Sequence, residues 1–445
     1  MVGREVKGQE INFPWERRRL ACEKRVQCRV CGWREAQVVL LIFSCARGSG
    51  FAALAAAQAS RLRSRGIFFI WLSCFNGEMN SEQIHHRALV IDMHADTIQR
   101  VLDEGADLAT GAPGWHLDLN LLRDGGVDAQ FFSIWPDPHE FWGRAACDRA
   151  LDLIGAVDAQ LQTHPQLIER ALTAADIRRI EASGKLAALM GIEGGHAIND
   201  DLDALREFFR RGVRYLTLTH SRTTNWAGSS GDESGQQTGL SNFGREVVRE
   251  MNRLRMLVDI SHVSDKTFWE VAELATKPLL ASHSGARALS NHKRNMSDDM
   301  IRAVAKSNGV VCVVFYPIFL DENYAAAARQ VFAELKPQFT EIEAAMNNIA
   351  AGYAKDRLST KTLRERVRPM PLARLADHIE HIVTLVGADH VGLGSDFDGI
   401  NCVPEGLENG AALPSLTAEL ARRGLTEIEL EKILGGNILR VMEAQ

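Results

Sequence analysis

From Met79 onward the chain repeats one pattern eight times: a short apolar run, then a longer stretch with helical periodicity. The runs are 89–94, 128–134, 186–192, 214–219, 256–261, 278–282, 309–315 and 390–394. They are rich in Val, Ile, Leu and Phe, and most are continuously apolar instead of alternating. That is the pattern of a parallel strand buried on both faces. Most of the stretches between them read as helices, for example 201–211, 242–253 and 264–274, and Ser297, Asp298 and Asp299 open the 300–306 helix as a cap should. Eight strand-then-helix units over about 360 residues match an α/β fold of the (β/α)8 TIM-barrel type better than an open doubly wound sheet. No GxGxxG follows the first run, which also argues against a dinucleotide fold. The long insertion, 317–374, reads as helical at 341–353 and 372–386, and so predicts a helical cap before the last strand.

What lies just past each run turns this architecture into a functional reading. The first run ends in His94 and Asp96, the third in Glu193 and His196, the fourth in His220, the fifth in His262, the sixth in His283 and the eighth in Asp396 and Asp398. In a barrel these ends share one face, the face that carries active sites. Taken singly each is ordinary, since a His after a strand is more often a hydrogen-bonding residue than a ligand. His85, His86, His116, His139, His164, His292, His378 and His381 lack this placement and read as surface or packing residues; His196 reads as a donor behind the site.

Imidazoles mixed with carboxylates, without thiolate, suit Zn²⁺ or a similar divalent ion. The groups outnumber what one tetrahedral ion needs, so a pair of ions is the economical reading. Two cations roughly 3.5–4 Å apart need a bridging anion and can hold a hydroxide between them at neutral pH. Glu193 is the natural bridge. No GxSxG is present, and Cys312 sits inside a run, not at its end. The implied chemistry is hydroxide attack on a carbonyl or phosphoryl centre, with Asp396 left over as the proton shuttle.

Residues 1–78 differ in kind. They hold thirteen Lys and Arg against six Glu, no Asp and no His, and five of the eight cysteines. Cys28 and Cys31 form a CxxC without a partner pair at ligand spacing. The apolar runs 38–43 and 67–72 are well short of the roughly 20 residues of a spanning helix, so no membrane span is expected. We expect this basic extension to lie outside a folded domain of residues 79–445. A net charge of -6 for the whole chain gives no pull toward nucleic acid or an anionic membrane, and suits an enzyme of small molecules.

Seven motifs, in order, resemble the renal or membrane dipeptidase family of binuclear zinc peptidases. They are Ile91-Asp-Met-His-Ala-Asp96, Gly191-Ile-Glu-Gly-Gly-His196, Tyr215-Leu-Thr-Leu-Thr-His-Ser221, Val258-Asp-Ile-Ser-His-Val-Ser264, Ala281-Ser-His-Ser284, Lys293-Arg-Asn295 and Gly394-Ser-Asp-Phe-Asp-Gly399. The likeness runs from about Ile84 to Arg440 and leaves out residues 1–78. It implies two Zn²⁺ ions, although other divalent ions fit as well: His94 and Asp96 on one, His262 and His283 on the other, and Glu193 across both. It further implies that His220 polarises the scissile carbonyl, Arg294 holds the substrate's C-terminal carboxylate, Asp396 transfers the proton and Tyr316 lines the substrate pocket. The implied reaction is hydrolysis of small dipeptides by a metal-bridging hydroxide, often with tolerance of a C-terminal D-residue.

Mammalian members are secreted, lipid-anchored and disulfide-linked. This chain shows no C-terminal apolar tail and no secretory pattern, so a cytoplasmic, bacterial-type member is expected, with a homodimer compatible. Loop 223–230 and the insertion cannot be matched position by position, which leaves side-chain preference open. A related amidohydrolase acting on a lactam, lactone or N-acyl amino acid is the alternative. Such enzymes commonly begin with His-x-His and a carboxylated Lys, whereas this chain has His-x-Asp and Glu193. A barrel without catalysis, serving binding or maturation, would show missing ligands, and every ligand position here is filled.

Overall fold

The computed structural model describes residues 80–445. The expectations for residues 1–78, including Cys28 and Cys31, lie outside the described residues. Nine parallel strands form the sheet: β1 (Ile91–Ala95), β2 (Ala129–Ile134), β3 (Ile168–Arg170), β4 (Leu186–Glu193), β5 (Val213–Thr217), β6 (Leu257–Asp259), β7 (Leu280–Ser284), β8 (Val310–Val313) and β9 (Val391–Leu393). Neighbours run β2-β1-β9-β8-β7-β6-β5-β4, and β2 pairs with β4 along its whole length, which closes a ring of eight. The fold is an α/β barrel of the TIM type, and each apolar run overlaps one strand of the ring.

β3 was not expected. Its residues Ile168, Glu169 and Arg170 pair with Leu186, Ala187 and Ala188, and β5 takes over the same edge of β4 from Met190. Three residues, two of them charged, carry no apolar signal. The insertion departs from expectation in one detail. Instead of a helix across 341–353, one helix covers Glu322–Ala345 and the next Asn348–Arg366. The side chain of Asn347 accepts from the Ala350 amide and starts the second helix. Helical periodicity continues on both sides of such a cap, so periodicity alone misses the break. The cap is thus a helical hairpin, followed by Leu372–Val386, which matches its predicted range. Ser297 accepts from the Met300 amide, as the sequence suggested.

The barrel is filled, not hollow. Ile91, Met93, Phe131, Leu189, Tyr215, Leu257, Leu280, Val310 and Cys312 form one buried apolar cluster with Ile438 and Val441 of the C-terminal helix. Side chains from seven strands can meet only inside the ring. β9 contributes Gly392 there, where a Cβ would lie 2.9 Å from Cys312 Sγ. Each large apolar side chain so buried contributes about 1.5–3 kcal/mol. Two of the histidines read as packing residues are buried: His85 lies between the Thr417 hydroxyl and the Gly125 carbonyl, each at 2.7 Å, and His378 Nδ1 accepts from the Ala286 amide.

Candidate metal centre

The strand ends bring the candidate residues to one pocket at the C-terminal face. Glu193, the last residue of β4, lies at its centre. Its Oε1 is 2.9 Å from His262 Nε2 and 3.3 Å from His283 Nε2, while Oε2 is 3.5 Å from His94 Nε2. His94 Nε2 is in turn 3.7 Å from Asp96 Oδ2 and 3.9 Å from Asp396 Oδ1. His220 Nε2 stands 3.8 Å from Glu193 Oε1. Three overlapping donor sets result: His94, Asp96 and Glu193; Glu193, His220 and His262; and His94, His283 and Asp396. His220 and Asp396, which the sequence reading kept apart from the ligands, stand among them geometrically.

Several features fit this pocket to divalent cations. His94 Nε2 is buried and makes no hydrogen bond. Leaving such an atom unpaired costs about 1–3 kcal/mol, a cost a bound ion removes. Its other nitrogen, Nδ1, lies 2.8 Å from the Tyr215 oxygen, and the Tyr215 hydroxyl donates to the Met93 carbonyl at 3.3 Å. The Tyr215 oxygen therefore accepts from Nδ1, and the Nε2 lone pair faces the pocket. Burial, aided by the Arg294 charge, holds His262 and His283 well below the usual imidazole range, so they offer lone pairs instead of protons.

The charges of the pocket oppose one another in a way that a cation would resolve. Burial works against a proton on His94, yet Tyr215, Glu193 and Asp96 raise it well above the usual range. Glu193 is buried too, but the surrounding imidazoles, His94 and His220 first, hold it well below the usual carboxylate range. Asp396 goes the other way, pushed well up by burial and by the Asp96 and Glu193 carboxylates. His220 is lowered to about 4, by burial and then by Arg294. Nitrogen and carboxylate donors together suit zinc and similar ions.

The backbone at the site is unusual. His262, Asp396 and Asp398 have φ of 68°, 63° and 65°, in the left-handed region that side chains other than glycine rarely adopt. After Glu193 the chain must turn in little space: a Cβ on Gly195 would come within 2.3 Å of the Trp226 ring and 2.5 Å of the Leu218 carbonyl. His196 leaves the pocket here. Its Nε2 donates to the Pro136 carbonyl at 2.8 Å and its ring stacks on Trp142. Asp398 also faces away, accepting from the Thr97 hydroxyl and the His116 amide.

Arg294 is buried beside the cluster. One guanidinium nitrogen donates to the His283 carbonyl at 3.3 Å, and its Nε makes no hydrogen bond. Burial lowers it to about 10, against the Glu193 and Asp396 carboxylates. Its guanidinium lies 5.4 Å over the Phe319 ring, on which Tyr316 also packs. The Tyr316 hydroxyl donates to Asn401 Oδ1 at 3.3 Å. Phe319, Trp135 beside His220, and Tyr215 were missed by sequence reasoning. Tyr215 reads as one more strand residue, and nothing along the chain links it to His94, 121 positions away.

The membrane dipeptidase family, peptidase family M19, matches residues 79–445. The chain belongs to this family. It is a metallo-dipeptidase by class, a hydrolase acting on peptide bonds. Dipeptidase 3 of Mus musculus is 33% identical over 328 residues, 73% of this chain and 57% of the mouse protein. Dipeptidase tcpJ of Claviceps purpurea (strain 20.1) is 31% identical over 334 residues, 74% of this chain and 68% of the fungal protein. A metallo peptidase from Rhodobacter sphaeroides, solved with a phosphinate mimic of the dipeptide L-Ala-D-Ala, shares 28% identity, covering 80% of this chain and 99% of that one, with a TM-score of 0.66. Among the described residues, no helix is long and apolar enough to cross a membrane.

Proposed function

We propose that the chain hydrolyses dipeptides with two divalent ions, zinc the first choice, one held by His94 and Asp96, the other by His262 and His283, and both by Glu193. The observation that carries this reading is the placement of the Glu193 carboxylate, with one oxygen toward His94 and the other toward His262 and His283. The ions would supply a hydroxide at neutral pH and polarise the scissile carbonyl.

The chain's own residues do the rest. Arg294, buried and with a free Nε, receives the substrate's C-terminal carboxylate, and a guanidinium can hold it bidentately. That contact limits the enzyme to substrates whose scissile bond lies next to a free carboxylate. Tyr316 and Phe319 wall this end of the pocket. His220, neutral at working pH, donates toward the developing oxyanion. Asp396, whose burial favours its protonated form, passes the proton to the leaving amine. The phosphinate-bound relative supports tolerance of a D-residue at the C-terminal position.

Metal analysis together with a panel of L,L- and L,D-dipeptides, N-acyl amino acids and cyclic amides tests the proposal. Two ions per chain and turnover confined to dipeptides are expected. A preparation loaded with one ion only, or one that cleaves only the cyclic amides, refutes it.

A further inference from the structure

We infer that Asp259 and Ser282 are positioning residues of the metal centre, holding His283 in the tautomer that leaves Nε2 free for an ion. The inference rests on the proposed function above. Asp259 ends β6 and is buried. Its Oδ1 accepts from the Ser261 amide at 3.1 Å and the Ser282 amide at 2.9 Å; its Oδ2 accepts from the Ser282 hydroxyl at 2.6 Å and the Thr217 hydroxyl at 2.5 Å. Hydroxyl contacts this short mark a charged acceptor. A carboxylate only accepts, so both hydroxyls must turn their hydrogens to it.

Ser282 has one hydroxyl hydrogen, and Asp259 takes it. The longer contact to Ser261 Oγ, at 3.3 Å, is its weaker alternative and leaves the next step unchanged. What Ser282 offers to His283 Nδ1, 2.9 Å away, is therefore a lone pair. Nδ1 must carry the ring hydrogen, and the lone pair of the neutral ring sits on Nε2. That is the atom 3.3 Å from Glu193 Oε1 and 2.8 Å from His262 Nε2. Such outer partners set the orientation and basicity of a ligand.

The barrel uses the same two-bond clamp again. Asp92 on β1 accepts from the Ser395 amide at 2.8 Å and its hydroxyl at 2.6 Å, and Ser395 immediately precedes Asp396. There the serine oxygen accepts from the Phe397 amide and meets the His94 carbonyl, each at 3.1 Å, while Asp92 Oδ1 also accepts from the His94 amide at 3.4 Å, so the contacts are to backbone and not to a ring nitrogen. The Asp92 clamp thus holds the turn that carries Asp396 and selects no tautomer.

The test is Asp259→Asn. Two backbone amides face Oδ1, so the new amide nitrogen takes the Oδ2 side, where it donates. The Ser282 hydrogen is then free to bind Nδ1, and the imidazole hydrogen moves to Nε2. Ion stoichiometry and chelator competition with Zn²⁺ should show wild type holding two ions and Asp259→Asn losing one, or holding it roughly 10–100-fold more weakly. Ser282→Ala, which keeps the carboxylate, should weaken the same ion and carries the test if Asp259→Asn does not fold. Thr217→Val, which takes the other hydroxyl from Asp259 Oδ2 and leaves Ser282 in place, should keep both ions at wild-type affinity. Wild-type affinity for both ions in Ser282→Ala overturns the inference, as does an equal loss in Thr217→Val. A wild-type chain that binds fewer than two ions refutes the proposed function itself, a separate result.

Discussion

At the scale of single residues, the centre assigns opposite tasks to two carboxylates of the same pocket. The surrounding imidazoles hold Glu193 well below the usual carboxylate range, whereas burial and its acidic neighbours push Asp396 well above it. In the proposed reaction one would serve as an anion between cations and the other as an acid, the division of labour that acid and base chemistry at one site requires. Asp396→Asn should keep both ions and lower kcat by roughly 10²–10⁴-fold, the usual worth of a general acid. Metal retention separates this role from ligation: loss of an ion would make Asp396 a ligand. Arg294→Ala should instead act mainly on KM, because it removes a contact made equally in ground and transition states. Steady-state kinetics beside metal analysis check both, and unchanged kinetics in both variants would remove the mechanism.

At the scale of elements, the helical hairpin is tied to the loops that carry the site. Arg100, on the helix that follows Asp96, lies 3.2 Å from Asp356 of the hairpin and 3.6 Å from Asp398, two residues past Asp396. The Tyr353 hydroxyl donates to Asp103 at 2.9 Å, and Asn348 donates to Glu140 in the loop after β2. Burial pushes the Asp356 carboxyl up to about 6 from its ordinary 3.8, outweighing the Arg100 charge. A raised carboxyl favours folding while it is protonated. Its contribution is whole below about pH 4 and is lost as pH rises through about 6. Asp356→Asn removes that loss. Thermal unfolding should show variant and wild type melting together at pH 4, with the variant melting higher by pH 7. An equal gap at both pH values would show that Asp356 does not titrate in this window.

At the scale of the whole molecule, residues 79–445 carry the entire family match and every residue of the centre. Produced alone, they should fold, bind metal and cleave dipeptides as the full chain does; insoluble or inactive protein would place residues 1–78 within the working unit. The barrel itself was legible along the chain. A strand buried on both faces has no polar side to show, so runs such as 186–192 stand out, and β3 escaped because Glu169 and Arg170 interrupt it. The gathering of His94, Asp96, Glu193, His262 and His283 was legible too, because the closing residue of each strand must lie on one face once the sheet is a ring. Roles that depend on what touches what were not. Tyr215 against His94, Phe319 beneath Arg294, and the Asp259 and Asp92 clamps join positions on separate strands or helices, and local pattern holds no record of such pairs. The break at Asn347 was lost for a related reason, since a cap and a mid-helix Asn look alike until the backbone around them is seen. The amino-acid order alone thus determined the ring of strands and the residues at their ends, because burial and alternation are written along the chain. Only the tertiary structure decided which nitrogen of His94 and His283 faces the pocket, because that depends on Tyr215 and on the Asp259 clamp of Ser282, partners brought in from other strands.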